Sequence, residues 1–539
     1  MENKGRAPWQ AKGHGTAVGQ DSVRERISGS KGVVLLGILM VVPTLLVLLA
    51  SRLGPGISPD SVNYASAARS FMESGSLVAY SGRPLTIFPP GLPILLGLCE
   101  WVGMDLQWAA IGLNLLCAAL TVWLTHRLAS QLFDSPNLGL AVAAVVSLSA
   151  SMVRVYAMLW TEPSFSVLVL LVLVILIRAI HRNGISLGQA ALAALLVSFA
   201  TTLRFVGVLL IPVAVLGVLF AQRKRGPLLA SCWGLGMGCS SALGFLVVAM
   251  RNRALGTGLM GDRLASHQRV GDIMERSLLT LGEYLVSPSR HALIWLAGIA
   301  LALGLLYGVW QAFRAHRLDL ILLTSWVGVY WMCLWYSQMA TLIDPVGERL
   351  TAPAFAPMVI LIAYGLRCLS LRFVPGGAMK KRLGLICLGL ILGFTCTRAI
   401  RFARRAAGRG IGYNNVNILL SPLARAIANS RDSGGLASTD PQLIYWVSRR
   451  KPVLQIPMRD FYNPPEQTTL DLASLRQAVT SGAVSRLAFF NADTAALSPD
   501  EIAQVPGITL HHLATFEDGR LYEATPVGRL ALEGVATHP

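Results

Sequence analysis

Two short acidic motifs and a few isolated arginines are the residues of this 539-residue chain whose types and spacing could do chemistry. In Ser58-Pro59-Asp60-Ser61 the first serine suits a helix cap and the proline the first helical position. Asp60 then falls in the first turn, where the helix dipole and free backbone N–H groups favour an ionised carboxylate. Held just beyond a membrane span, such a carboxylate could take a proton from an acceptor hydroxyl. The plainer alternative is a helix cap and nothing more. Tyr64, Ala65, Ala68, Phe71 and Met72 follow at near-helical spacing, which suits a short helix lying on a membrane surface. Trp160-Thr161-Glu162-Pro163 offers a second carboxylate, Glu162, with the same plain alternative.

Arg204 stands alone in an otherwise apolar stretch, Arg263 lies in a long polar loop over 251–291, and Arg349 lies in a further loop. Guanidinium groups bind phosphate oxygens bidentately, so a phosphate-bearing lipid is the partner they suggest. The loop over 251–291 has six arginines and no lysine, but only seven of the 46 basic residues in the chain are lysine. That absence is therefore background, and Arg204 is the more informative position.

These residues have to be positioned by membrane helices. Hydrophobic residues make up 54% of the chain and charged residues 14%, far fewer than the roughly 25% of soluble domains. Apolar runs at 33–50, 108–125, 140–153, 164–177, 228–250, 292–310, 320–336, 353–369 and 383–397, with two more between 186 and 220, predict about eleven helical spans. A shorter run at 92–101 reads as a helix dipping in from outside. Short basic loops mark the cytoplasmic side. This topology places Asp60, Glu162, Arg204 and the 251–291 loop on one external face. Arg398, Arg401, Arg404, Arg405 and Arg409 then follow the last span on the external side, against the positive-inside trend.

The expected organisation is a cytoplasmic disordered tail (1–32), a membrane domain (33–401) and an extracytoplasmic α/β domain (402–539). In the last, helix-like stretches at 441–448 and 470–480 alternate with β-rich runs at 436–439, 452–456, 485–491, 508–516 and 520–524, which predicts a partly parallel sheet. Asp440 and Asp493 each follow a predicted strand, where such folds bind ligands or merely cap helices. The formal net charge of +18 belongs to the membrane half, since 402–539 carries only +1. A nucleic-acid partner is therefore not expected. The eight cysteines form neither a disulfide framework nor a metal-ligand spacing.

Taken in order, these motifs resemble the GT-C superfamily of membrane glycosyltransferases, in particular the dolichyl-phosphate-mannose-protein mannosyltransferase and aminoarabinose-transferase-like group. The residues that carry the resemblance are Ser58-Pro59-Asp60-Ser61, Phe88-Pro89-Pro90-Gly91-Leu92-Pro93, Thr161-Glu162-Pro163, Leu203-Arg204-Phe205-Val206-Gly207, Arg251-Asn252 with Gly261-Asp262-Arg263, and Glu348-Arg349-Leu350 with Pro353. Each is short, and their order and shared sidedness make the match. It covers most of 33–370.

The resemblance implies transfer of a hexosyl or pentosyl group, with inversion, from a polyprenyl-phosphate sugar to a protein, lipid or glycan acceptor. It implies a multi-pass protein of the inner or plasma membrane, with the N-terminus cytoplasmic and the C-terminal domain outside. Asp60 would be the general base with Glu162 beside it. Arg204, Arg263 and Arg349 would hold the lipid phosphate, and Tyr64 would line the substrate site. Many relatives carry two adjacent acidic residues where this chain has Asp60-Ser61. No metal ligands are therefore assigned, and a divalent cation is left open as the sole cofactor. The alternative from another class is a transporter or flippase of lipid-linked sugars.

Overall fold

The computed structural model describes residues 18–527 except 267, 288–289, 374–377, 431–433, 450–453, 460–464 and 494. The first seventeen residues of the expected N-terminal tail lie outside the described residues. Among those described, nine helices are long and apolar enough to cross a membrane. The pair Pro136–Ser147 and Ala150–Tyr156, bent by 62°, makes a tenth if it is one broken span and not a re-entrant loop. The bend falls where Ser149 accepts the Met152 N–H and starts a new helix. The remaining segment of the eleven expected from sequence is Leu187–Leu203, an apolar helix that stops short of span length. It ends because Arg204 turns the backbone extended, at φ −147° and ψ 134°.

Helix Glu162–His181 is the axle of the bundle, with 72% of its apolar window buried inside the protein. Phe165 from this helix meets Trp326 of helix Leu318–Ala340 at 6.3 Å between ring centroids, and Trp326 meets Tyr330 at 5.0 Å. These three are among the largest fully buried side chains. Elsewhere small residues set the spacing, as expected where lipid removes the hydrophobic drive for helix pairing. Helix His291–Arg314 touches helix Glu348–Phe373 through Gly308, whose missing Cβ would run into the Leu361 carbonyl.

Two elements differ from the sequence reading. The 251–291 region contains an amphipathic helix, Val270–Glu283, that buries Ile273, Ser277 and Leu281. The last long helix, Ala378–Arg409, carries the five arginines within its own length and continues past residue 402.

Beyond it lies a five-stranded sheet of β1 (Leu436–Ser438), β2 (Leu454–Gln455), β3 (Arg486–Phe490), β4 (Ile508–Phe516) and β5 (Gly519–Pro526), in the order β2-β1-β3-β5-β4. β1 runs parallel to β2 and β3, while β5 is antiparallel to β3 and β4. Asp440 caps helix Pro441–Ser448 by accepting the Leu443 N–H at 2.9 Å, and it accepts the Tyr413 hydroxyl at 2.9 Å. Burial, with Asp493 nearby, pushes the Asp440 carboxyl up to about 6 despite those two bonds. Burial raises Asp493 as well.

Three outcomes follow. Gly308→Ala forces the two helices apart and costs about 1–3 kcal/mol, the usual range for overpacking. Gly236→Ala, with nothing within 4 Å of the added Cβ, leaves the thermal midpoint in detergent unchanged or slightly raised. For Asp440 the folded state holds a proton more tightly than the unfolded chain. Its contribution is therefore fully present below pH 4 and is lost as pH rises to about 6. Asp440→Asn can still accept both hydrogen bonds but has no charge to bury. The variant's melting temperature relative to wild type therefore rises between pH 4 and 6 and stays level above.

Candidate active site

The Ser58-Pro59-Asp60-Ser61 turn is anchored from both sides before any charge is considered. Ser58 and Ser61 form a reciprocal cap: the Ser58 N–H donates to the Ser61 hydroxyl at 3.0 Å, and the Ser61 N–H to the Ser58 hydroxyl at 3.4 Å. Pro59 opens helix Pro59–Ser74, with Asp60 in its first turn. The Trp160 indole donates to the Ser58 hydroxyl at 2.8 Å, and the Ser61 hydroxyl donates to the Leu159 carbonyl at 2.9 Å. Upstream, Gly56 bridges to Met158 and Ile57 to Gly412, so three chain segments run side by side. Gly412 has φ +59° and packs against the Ile57 carbonyl with no room for a Cβ.

Four helix ends then bring their charges together. Glu162, the first residue of helix Glu162–His181, has a side-chain exposure of 0%. It is paired with Arg204 and with Arg349, whose Nε donates to Oε1 at 2.6 Å. Arg204 also donates to the Thr161 hydroxyl at 3.0 Å, while its Nε is buried without a partner. Arg349 lies in the first turn of helix Glu348–Phe373 rather than in a loop. Its guanidinium bridges Glu162 to Asp60, reaches Asp344 at 3.0 Å, and stacks over the Trp160 ring at 4.5 Å. Asp60 differs from Glu162 in one decisive respect: its side chain is 26% exposed. One carboxylate can be reached from outside, and the other cannot.

Tyr64, one turn along from Asp60, is buried with its ring edge-on to Phe88 at 5.1 Å. Burial, and after it the Asp60 charge, raise its phenol above the ordinary value, so it is a neutral donor at physiological pH. Arg263 comes from the far loop, where its Nη2 donates to the Ile87 carbonyl at 2.9 Å. Asp60, Arg204 and Tyr64 lie within electrostatic range of it. Arg251 and Asn252 hold the neighbouring Leu85 and Thr86 carbonyls at 2.7 and 3.0 Å. These motifs thus clasp the segment before Phe88-Pro89-Pro90 over the site.

Asp60, Tyr64, Glu162, Arg204, Arg263 and Arg349 gather in one place, whereas Asp440 and Asp493 lie in the C-terminal domain. Sequence reasoning missed the active part played by Trp160 and Asp344, and the adjacent pair of Arg154 with Glu348. Trp160 precedes Thr161-Glu162 in a motif already noted, and that neighbourhood was the available signal. Arg349 sits between the two carboxylates, where a cation would have to bind, so the donor set does not fit a metal. Among the described residues no cluster of three or more His, Cys, Asp or Glu could hold one.

No protein-family model and no curated protein matches the sequence. Solved structures match the fold. ArnT from Cupriavidus metallidurans in the apo state gives a TM-score of 0.58 at 14% identity, over 92% of this chain and 98% of that one. The Archaeoglobus fulgidus oligosaccharyltransferase in its apo form gives 0.52 at 11% identity, over 85% of this chain and 69% of that one. The arabinofuranosyltransferase AftD from Mycobacteria gives 0.52 at 16% identity, over 91% of this chain and 40% of that one.

The chain shares the fold of these proteins. The fold expected from the short motifs is the one present, and the chain is a multi-pass membrane protein.

Glu162→Gln leaves Arg204 and Arg349 buried with one balancing charge fewer. Breaking a buried pair in this way costs about 3–5 kcal/mol. The expected reading is a lowered unfolding midpoint for Glu162→Gln in detergent. Asp60→Asn, at the exposed edge of the same cluster, changes the midpoint far less.

Proposed function

We propose that the chain is a glycosyltransferase that moves a sugar from a polyprenyl-phosphate donor to an acceptor at the extracytoplasmic membrane face. The observation that carries this reading is the cluster itself: one reachable carboxylate, Asp60, held by Arg349 among further arginines at the ends of membrane helices. The fold supports it. ArnT has been crystallised bound to undecaprenyl phosphate, and the Archaeoglobus protein has been solved with an inhibitory peptide and a dolichol-phosphate. On this reading the N-terminus is cytoplasmic, the cluster faces outward from the inner or plasma membrane, and the C-terminal domain lies outside.

In the reaction the acceptor hydroxyl attacks the anomeric carbon as its proton passes to Asp60. The bond from that carbon to the phosphate oxygen breaks, and the lipid phosphate departs with the electron pair. A single displacement inverts the anomeric centre. The accessibility of the carboxylates favours it, because the second one is fully buried and cannot act as a nucleophile. The acidic pair therefore divides its roles: Asp60 as base, and Glu162 as a positioning residue that neutralises Arg204 and Arg349. Arg349 is occupied by carboxylates, so the departing phosphate falls to exposed Arg263 and to the 16% of the Arg204 side chain that stays accessible. The donor sugar can be a hexose or a pentose, and the acceptor a protein, lipid or glycan. A transporter or flippase would instead concentrate its ionisable residues near the bilayer midplane, whereas this cluster lies at helix ends.

The test uses membranes or nanodiscs carrying the full chain and a panel of labelled polyprenyl-phosphate sugars. Loss of a general base predicts that Asp60→Asn lowers kcat by about 10²–10⁴-fold with normal membrane insertion. Arg263→Gln is expected to lower kcat as well as to raise KM for the donor, because charge builds on the phosphate as it departs. Wild-type turnover in Asp60→Asn would remove Asp60 as base. Movement of the intact lipid-linked sugar across the bilayer with no new glycosidic bond would assign the chain to transport.

A further inference from the structure

A second charged cluster lies back to back with the first. Glu348 and Arg349 are consecutive, yet Arg349 turns to Asp60 and Glu162 while Glu348 turns to Arg154 and to the Ser151 hydroxyl. Below that second cluster an apolar groove of about 350 Å³ runs down the flank of the bundle. Its walls come from helix Pro136–Ser147 (Val145), helix Glu348–Phe373 (Ile362, Ala363) and helix Ala378–Arg409 (Leu388). The last two helices are successive in the chain, and the groove lies between them. Only 11% of the apolar window of the final helix is buried inside the protein.

The groove extends along that helix from Gly384 to Thr395. At a rise of 1.5 Å per residue this is about 16 Å, close to half of the roughly 30 Å hydrocarbon core. One helical turn beyond Thr395 stands Arg398. It donates to the Glu283 and Tyr284 carbonyls at 2.9 and 3.3 Å, at the end of helix Val270–Glu283. Among the described residues it forms no ion pair, whereas neighbouring Arg154 is matched by Glu348 and Glu283 by Arg276. Arg401 is exposed on the same helix. The groove therefore has the depth of one leaflet and, at its mouth, a guanidinium with no direct ion-pair partner among the described residues, Glu348 and Glu283 nearby being paired to Arg154 and Arg276.

We propose that this groove binds one acyl chain of an anionic glycerophospholipid, in the leaflet at the Asp60 end of the bundle, with the headgroup phosphate against Arg398 and Arg401. The depth favours an acyl chain over a long polyprenyl chain, which would overrun the groove. The arginines select an anionic over a zwitterionic headgroup. The site is separate from the catalytic cluster and does not depend on the reaction assigned there.

The test exploits Cys387, which lines the groove, with exposed Cys232 on helix Pro227–Ala254 as internal reference. Delipidated full-length protein in detergent is alkylated with N-ethylmaleimide, and peptide mass spectrometry reads each cysteine separately. Palmitoyl-oleoyl phosphatidylglycerol is expected to slow Cys387 at least tenfold with Cys232 unchanged, while the phosphatidylcholine of the same chains slows it much less. Ala363→Trp fills the groove and removes the lipid-dependent protection. Arg398→Gln brings phosphatidylglycerol down to the phosphatidylcholine level. The wild-type comparison decides by itself if either variant fails to fold. The proposal is overturned by no protection, by equal protection from both phospholipids, or by undecaprenyl phosphate protecting at lower concentration than phosphatidylglycerol.

Discussion

A glutamate with no access to solvent, paired at once with Arg204 and Arg349, is the constraint around which this structure is arranged. An ionised carboxylate costs several kcal/mol to remove from water, and each arginine costs as much again. The arrangement holds only where geometry and further hydrogen bonds return that energy. Here Thr161 supplies one such bond, the Trp160 ring covers the Arg349 guanidinium, and Asp60 and Asp344 take its remaining edges. The starts of helices Pro59–Ser74, Glu162–His181 and Glu348–Phe373 and the break at Arg204 must therefore meet at one point. Displacing any of them leaves a buried charge alone.

That knot also sorts the two acids. They come from similar local motifs, a proline-containing helix start with the carboxylate in the first turn. Glu162 sits on the central helix and is sealed. Asp60 sits on a peripheral helix whose capping serines are tied to Leu159 and Trp160 by side-chain bonds, and it stays partly open. Accessibility here is a matter of which helix start reaches the protein surface, and the motifs alone do not say. The same geometry separates the arginines. Arg349 is held by three carboxylates, whereas Arg263 donates to the Ile87 carbonyl.

The Glu348-Arg349 dipeptide couples this cluster to the flank of the bundle. Successive residues at a helix start point to different sides, so one turn serves two charge clusters, one beside the sealed core and one above the apolar groove. Beside the mouth of the groove Arg398 reaches the final carbonyls of an amphipathic helix, where the helix dipole favours a cation. This gives Arg398, on the last long helix, a structural role.

Much was legible from the sequence because it depends on local chemistry. Composition alone required a polytopic helical bundle, since hydrocarbon leaves backbone groups no other partner. The cap at Ser58, the helix start at Glu162, the break at Arg204 and all five strands of the C-terminal sheet follow from residue types a few positions apart. Span count was less secure, because Ser149 bends one span and Leu187–Leu203 falls short of full length. What only the tertiary structure decided were the contacts between residues a hundred or more positions apart. They are the bridge of Arg349 from Asp60 to Glu162, the burial that seals one acid and leaves the other open, and the pairing of Arg154 with Glu348. No spacing rule encodes these, because they arise from where whole helices pack, and packing depends on the shape of every surface at once.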